Sequence, residues 1–154
     1  MKDTAALAVG TVASGALAYA YFAVATRALG PVAAAPISVL WTYWSAAAAV
    51  LTFPLQHWTI RTLAADGHEG RVARALPRVW AMVAVLAVVS SGVAFAARET
   101  LFDRPDAAFP LMVAAVTAGS CLFGVVRGGL AGRGRFVATA WAIFAENGLR
   151  VALA

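Results

Sequence analysis

Residues 4–29 read TAALAVGTVASGALAYAYFAVATRAL, and the only charged side chain in this stretch is Arg27. A helix of about 20 residues crosses the ~30 Å hydrocarbon core of a bilayer, so this stretch is long enough to span a membrane. It is too long for the apolar part of a cleaved signal peptide, which covers roughly 7–15 residues. We predict a first transmembrane helix over about residues 4–27, ended by Gly30 and Pro31 because proline lacks the amide donor that a continuing helix needs.

Four more apolar runs of similar length follow, over about residues 33–55, 79–97, 107–126 and 136–154. The chain of 154 residues is 62% hydrophobic and 12% charged, whereas an average soluble domain is about 25% charged. A soluble chain this short leaves too much of its surface in water to hide so much apolar area. The sequence therefore predicts an all-α, polytopic bundle of about five transmembrane helices, with residues 1–154 forming one domain.

Lysine and arginine positions predict the orientation of the bundle. With the N-terminus inside, the cytoplasmic segments hold eight of these residues: Lys2, Arg61, Arg71, Arg74, Arg78, Arg127, Arg133 and Arg135. The external segments hold three: Arg27, Arg98 and Arg104. Because short cytoplasmic loops are enriched in lysine and arginine, we predict a cytoplasmic N-terminus in the cytoplasmic membrane. The same bias explains the net charge of +5, so no nucleic-acid partner is predicted.

No combination of residues indicates an enzyme, a metal site or a cofactor. His57 and His68 are 11 positions apart in one predicted cytoplasmic connection, and they lack partner ligands at a metal-binding spacing. Cys121 lies alone in an apolar run, where we expect it to pack as a small apolar residue. The sequence therefore predicts a protein without enzymatic activity, embedded among membrane lipids.

Polar residues at membrane depth are the candidates for function. An ionisable group there costs about 2.5–3.5 kcal/mol on insertion and usually faces a bundle interior or a watery cavity. Glu146, Asn147 and Arg150 lie in the fifth predicted span. Glu146 and Arg150 share a helix face because they are four positions apart. This pair either lowers its own insertion cost or forms a polar wall of a substrate cavity, and both interpretations stay open.

Three more polar residues flank the first two predicted spans. Arg27 ends the first span, either as an interfacial arginine that reaches the headgroups or as a cation at the mouth of a cavity that binds an anionic lipid group. Gln56 and Arg61 follow Pro54, where we expect the second helix to kink and leave the membrane. These two residues either line a cytoplasmic entrance or form the solvated end of the helix.

Small residues recur at four-residue spacing in two helices. One row is Gly10, Ser14 and Ala18, and the other is Gly124, Gly128 and Gly132. Small residues at this spacing lie on one face and let two helix backbones approach closely. We interpret both rows as packing surfaces rather than as dimerisation motifs.

Several segments together resemble bacterial polysaccharide-biosynthesis flippases, of the superfamily that includes multidrug extruders and oligosaccharide-lipid flippases. Residues 21–31 are similar to the end of the first helix in that family, with an aromatic run, an arginine and a glycine-proline. Residues 40–41 and 53–56 resemble its second helix, which ends in a proline and a glutamine-bearing turn. Residues 127–136 resemble its link from helix four to helix five. Residues 146–150 are similar to the Glu-x-x-x-Arg segment of its fifth helix.

The resemblance implies a transporter that moves lipid-linked saccharides by alternating access between two bundles of six helices. It implies a substrate cavity lined by Arg27, Gln56, Arg61, Glu146, Asn147 and Arg150. Since only about five helices are predicted and a rocking transporter needs two bundles, we expect a fragment that lacks its C-terminal lobe, or a half-unit that assembles as a homo-oligomer or with a partner.

Two alternative functions stay open. The first is a small proton-coupled exporter of drugs or metabolites that acts as an oligomer, with Glu146 as its buried acid. The position of Glu146 in the fifth predicted span argues against an exporter, because the buried acid of such exporters more often lies in the first helix. The second is a structural membrane subunit without transport, in which Glu146 and Arg150 serve assembly.

Overall fold

The computed structural model describes the backbone of residues 2–66 and 69–152 and the side chains of residues 8–65 and 69–145. Over these residues the chain forms helices, turns and bends without a strand, which confirms the predicted all-α class. The helices are α1 (Lys2–Ala47), α2 (Phe53–Asp66), α3 (Gly70–Ala96), α4 (Arg98–Phe102), α5 (Ala108–Gly132) and α6 (Phe136–Ala152). A π-helical turn over Ala48–Thr52 joins α1 to α2.

Three segments of the described chain are long and apolar enough to cross a membrane: Ala8–Ala65, Gly70–Ala96 and Ala108–Gly132. By length and composition this is therefore a membrane protein. The first segment has 58 residues, or ~87 Å of helix at ~1.5 Å per residue, far more than one crossing requires. The apolar part of α6 is shorter, at Phe136–Ala145. The number of crossings and the side of the N-terminus stay predictions.

Gly30 interrupts the helical backbone within α1, with φ 76° and ψ 166°. This region of backbone space is essentially restricted to glycine, because a Cβ atom would collide with the local backbone. A Cβ added at Gly30 meets no other atom within 4 Å. The predicted end of the first apolar helix at Gly30 is confirmed, and backbone conformation rather than packing is the reason for glycine.

Gly30→Ala is therefore expected to destabilise the protein by about 1–3 kcal/mol through backbone strain alone. The measurement is the midpoint of unfolding of the purified protein in detergent, followed by circular dichroism. Gly15→Ala is the matched control, because Gly15 lies in the helical part of α1 and an added Cβ also meets nothing within 4 Å. Alanine at position 15 should gain up to ~1 kcal/mol from helix propensity, and equal behaviour of the two variants would contradict the assignment.

The contacts divide the chain into two compact units, the first formed by Met1–Ala34 with Arg133–Ala154. In this unit α1 packs against α6. A Cβ added at Gly10 would lie 3.0 Å from the Cβ of Ala140. The hydroxyl of Ser14, which is buried, donates to the carbonyl of Ile143 at 3.5 Å. The packing role predicted for the row that begins at Gly10 is confirmed at these two positions.

The second unit is Ala35–Gly132, and α5 lies at its centre between α2 and α3. The face of α5 toward α2 is the second row of small residues: Gly124, Gly128 and Gly132. A Cβ at Gly124 would lie 2.7 Å from the carbonyl oxygen of Thr52, and one at Gly128 would lie 2.7 Å from that of Gln56. The predicted packing role of this row is confirmed, because only glycine lets the two backbones approach so closely.

The α4 region closes the apolar core of the second unit. Phe102 at the end of α4 is 2% exposed, and its ring stacks on that of Phe109 with the centroids 5.1 Å apart. It packs with Ala94 of α3 and Val113 of α5 in one buried cluster. The short loop between α4 and α5 is therefore held by its own aromatic anchor, at the end of α5 opposite to Gly132.

Candidate functional site

A cluster of three hydroxyl groups joins three helical segments inside the second unit. The hydroxyl cluster consists of Tyr43 in α1, Ser90 in α3 and Thr117 in α5. The hydroxyl of Tyr43 lies 2.6 Å from Oγ1 of Thr117, and Oγ of Ser90 lies 3.1 Å from the same atom. Thr117 is 1% exposed. This oxygen is thus a buried point at which the three segments meet.

The hydrogen-bond directions in the hydroxyl cluster follow from counting protons. A threonine hydroxyl has one proton to donate and two lone pairs that accept. Oγ1 of Thr117 donates to the carbonyl of Val113 at 2.8 Å. Because that proton is used, Oγ1 of Thr117 accepts from Tyr43, whereas Ser90 shares its single proton between Thr117 and the carbonyl of Ala87, which lies 3.3 Å from Oγ of Ser90. The chemistry of the cluster is that of an uncharged interhelical link rather than of an acid or a base.

A second polar link lies where α1 passes into α2. Oγ1 of Thr52 donates to the carbonyl of Ser120 at 2.9 Å, and both residues are buried. Among the described residues the hydroxyl of Ser120 itself has no hydrogen-bond partner and is buried. The π-helical turn is therefore hydrogen-bonded to α5, and the hydroxyl of Ser120 beside this bond is unused.

An open groove of about 420 Å³ lies along α2. We call it the α2 groove, and it is lined by Pro54, His57, Trp58, Arg61 and Thr62. Thr62 uses its hydroxyl on the carbonyl of Trp58 at 2.8 Å. His57 and Arg61 are exposed, and no hydrogen bond or ion pair to another described residue involves either side chain.

The predicted cavity residues occupy different surroundings. Arg27 is exposed on α1 in the first unit, whereas Gln56 and Arg61 belong to the second unit. The backbone of Gln56 faces Gly128 of α5, while Arg61 lines the α2 groove. Gln56 and Arg61 thus lie on different faces of α2, because five positions correspond to about 140° around a helix.

The remaining predicted residues lie in α6. Residues 146, 147 and 150 have helical backbone, but the side chains of Glu146, Asn147 and Arg150 lie outside the described residues. Their pairing and their role in a cavity stay predictions. His68 also lies outside the described residues.

The hydroxyl cluster and the π-helical turn were not among the sequence-based candidates. Their signal is weak, because serine, threonine and tyrosine are common in membrane helices and hydrogen-bond well within them. Tyr43 and Thr117 are 74 positions apart, and Ser90 and Thr117 are 27 apart. No local pattern joins such distant positions. Each of the three nevertheless lies within a predominantly apolar run of the sequence.

Metal ligands do not gather within the described part of the chain. No group of three or more histidine, cysteine, aspartate or glutamate side chains close enough to share a metal ion occurs there. The groups that do converge are hydroxyls in the hydroxyl cluster and, in the α2 groove, the guanidinium of Arg61 with the imidazole of His57. Such groups bind by hydrogen bonding and by charge.

No family model matches this sequence, and neither curated proteins nor solved structures give a match. The resemblance to flippases therefore stays a prediction. The interrupted helix between α1 and α2, the hydroxyl cluster and the α2 groove are the features from which function is inferred.

Proposed function

We propose that this chain is part of a transporter that flips a lipid-linked saccharide or polysaccharide precursor across the cytoplasmic membrane, with its N-terminus in the cytoplasm. The observation that carries the proposal is the π-helical turn between α1 and α2. There the amide of Phe53 donates to the carbonyl of Ala48, five positions back, and Pro54 has no amide to continue the pattern. Such π-helical turns concentrate at functional sites, and interrupted membrane helices form the binding sites of many transporters.

The surroundings of this turn support the proposal. The unused hydroxyl of Ser120 lies on the helix to which Thr52 is bonded. Beyond the π-helical turn, α2 packs closely on the glycine row of α5, with Leu55, Thr59 and Leu63 against its three glycines. Sharp bends of membrane helices occur at proline and at π-helical turns, and both are present here. Transport by alternating access requires such bending.

In the proposed transporter, six residues line the path of the substrate: Arg27, Gln56, Arg61, Glu146, Asn147 and Arg150. The arginines hold the lipid-linked diphosphate, since guanidinium groups match phosphate oxygens in pairs. Glu146 orients Arg150 or responds to protons or cations during the cycle. A second bundle completes the site, and it comes from a C-terminal lobe or from another subunit.

The proposal predicts a loss of flipping when the charged pair of α6 is removed. In vesicles reconstituted with the chain and its second bundle, Arg150→Ala should slow flipping of a fluorescent lipid-linked saccharide about tenfold or more, because a hydrogen bond to a charged group contributes ~1.5–3 kcal/mol. Flipping is measured as access of the fluorophore to a membrane-impermeant reductant. Arg104→Ala is the control, since Arg104 is exposed in the loop before α5. Unchanged flipping by the Arg150 variant would refute the assignment.

A structural subunit without transport is the second candidate. It is favoured by the hydroxyl cluster, in which Oγ1 of Thr117 links α5 to α1 and to α3. This function predicts that Glu146→Ala and Arg150→Ala impair assembly with a partner while no saccharide lipid binds to the wild-type protein. Substrate binding measured on the wild-type protein therefore separates the two functions. A monomer in detergent would argue against the oligomeric exporter.

A further inference from the structure

We infer that the α2 groove also binds the headgroup of an anionic glycerophospholipid of the surrounding bilayer, which gives Arg61 a second role beside the substrate path proposed above. The groove has a volume of about 420 Å³ and presents a guanidinium, an imidazole and an indole group on one side of α2. Residues three and four positions apart share a helix face, so His57, Trp58 and Arg61 act on one ligand together.

The guanidinium and imidazole groups of the groove are available to a ligand. His57 and Arg61 are one helical turn apart, exposed, and without a polar partner among the described residues. A guanidinium offers five N–H donors in a planar fork, which matches two oxygens of a phosphate group. Thr62 and Pro54 add little polarity, because the hydroxyl of Thr62 is bonded to the carbonyl of Trp58 and proline has no donor. The group of the ligand that these side chains recognise is thus a phosphate.

Apolar side chains continue the groove toward the hydrocarbon core. Val50 and Phe53 are 69% and 51% exposed and lie one turn before the groove residues Pro54 and His57. A free phosphate ion makes no favourable contact with these apolar side chains, whereas the acyl chains of a lipid pack against them. Trp58 lies at the junction of the apolar and polar parts, which is where indole rings favour the membrane interface. The arrangement of apolar side chains beside polar ones therefore favours a lipid over a free phosphate ion.

The charge around the groove favours an anionic lipid over a zwitterionic one. The end of the second unit that contains it also carries four more arginines: Arg71, Arg74, Arg78 and Arg127. The one carboxylate among the described side chains at this end is that of Glu69. Each basic residue near a membrane surface contributes about 1 kcal/mol to the attraction of anionic lipids. On the proposed orientation, this end faces the cytoplasmic leaflet, where anionic lipids are enriched.

The inference is tested by lipid retention on the purified full chain. The chain in neutral detergent receives equal amounts of phosphatidylglycerol and phosphatidylcholine with matched acyl chains, and native mass spectrometry counts the retained lipid. We expect phosphatidylglycerol to be retained preferentially. Arg61→Gln should lower its retention about fivefold, as expected for the loss of one cationic contact. Arg61→Lys should recover part of the loss, because it keeps the charge and loses the planar fork.

Arg78→Gln is the matched control, because Arg78 is exposed at the same end but does not line the groove. Equal loss in the Arg61 and Arg78 variants would overturn the site in favour of a diffuse electrostatic attraction. Equal retention of the two lipids by the wild-type chain would overturn it as well. Displacement of phosphatidylglycerol by inorganic phosphate at equal concentration would assign the groove to a soluble anion. Unfolding midpoints of all variants verify that Arg61 variants are folded.

Discussion

Replacing Gly128 with leucine is expected to separate α2 from α5 and to destabilise the second unit by at least about 1–3 kcal/mol. A Cβ at this position would lie 2.7 Å from the carbonyl oxygen of Gln56 and 2.7 Å from the Cβ of Thr59. Neither atom is the far end of a flexible side chain, so the clash is relieved only by moving α2 as a whole. Such a movement removes dispersion contacts along the entire glycine row.

The measurement for Gly128→Leu is the midpoint of thermal unfolding in detergent, followed by far-ultraviolet circular dichroism. Gly119→Leu is the matched control, because Gly119 lies two turns earlier on the same helix and an added Cβ meets nothing within 4 Å. The control should be neutral, or stabilising by up to ~1 kcal/mol, because leucine has a higher helix propensity than glycine. If both variants lower the midpoint equally, helix α5 does not pack on α2 through its glycines.

Removing the hydroxyl of Thr117 with a Thr117→Val substitution is the second change with a large expected effect. Valine has nearly the same shape, so the packing is retained while three hydrogen bonds are lost. Two of the three bonds join different helices, and interhelical hydrogen bonds in membrane proteins contribute ~0.6 kcal/mol on average, which gives about 1 kcal/mol for the two. The hydroxyl of Tyr43 loses its acceptor at the same time, and a buried unsatisfied donor costs about 1–3 kcal/mol, whereas Ser90 keeps the carbonyl of Ala87 as an acceptor.

The same unfolding measurement tests the Thr117 prediction. Thr42→Val is the control, because Thr42 is exposed and bonds only within its own helix, to the carbonyl of Ser38 at 3.0 Å. Its effect should stay within about 0.5 kcal/mol. A double-mutant cycle of Thr117→Val with Tyr43→Phe should give a coupling energy of about 0.5–3 kcal/mol. A coupling energy of zero would show that the two hydroxyls do not interact in the folded protein.

The candidate site was only partly accessible to sequence reasoning. Arg61 was selected as a polar residue beyond Pro54, and it does line a groove. The backbone of Gln56 lies against Gly128 of α5, and the role of its side chain in a cavity stays a prediction. The π-helical turn was also missed, since Ala48–Thr52 contains no residue type that marks such a turn. Thr52, the last residue of the turn, is bonded to Ser120, which is 68 positions away.

The sequence by itself determined the helical class, the apolar segments, the break at Gly30 and the packing role of the glycine rows. These features are local: in lipid a helix satisfies its own backbone hydrogen bonds, and small residues four positions apart share a face wherever the helix lies. The tertiary structure alone decided which helices meet and which hydroxyls bond. It also decided which face of α2 stays open as a groove. Those contacts join residues far apart along the chain, and no spacing in the sequence encodes which distant surface a helix face will cover.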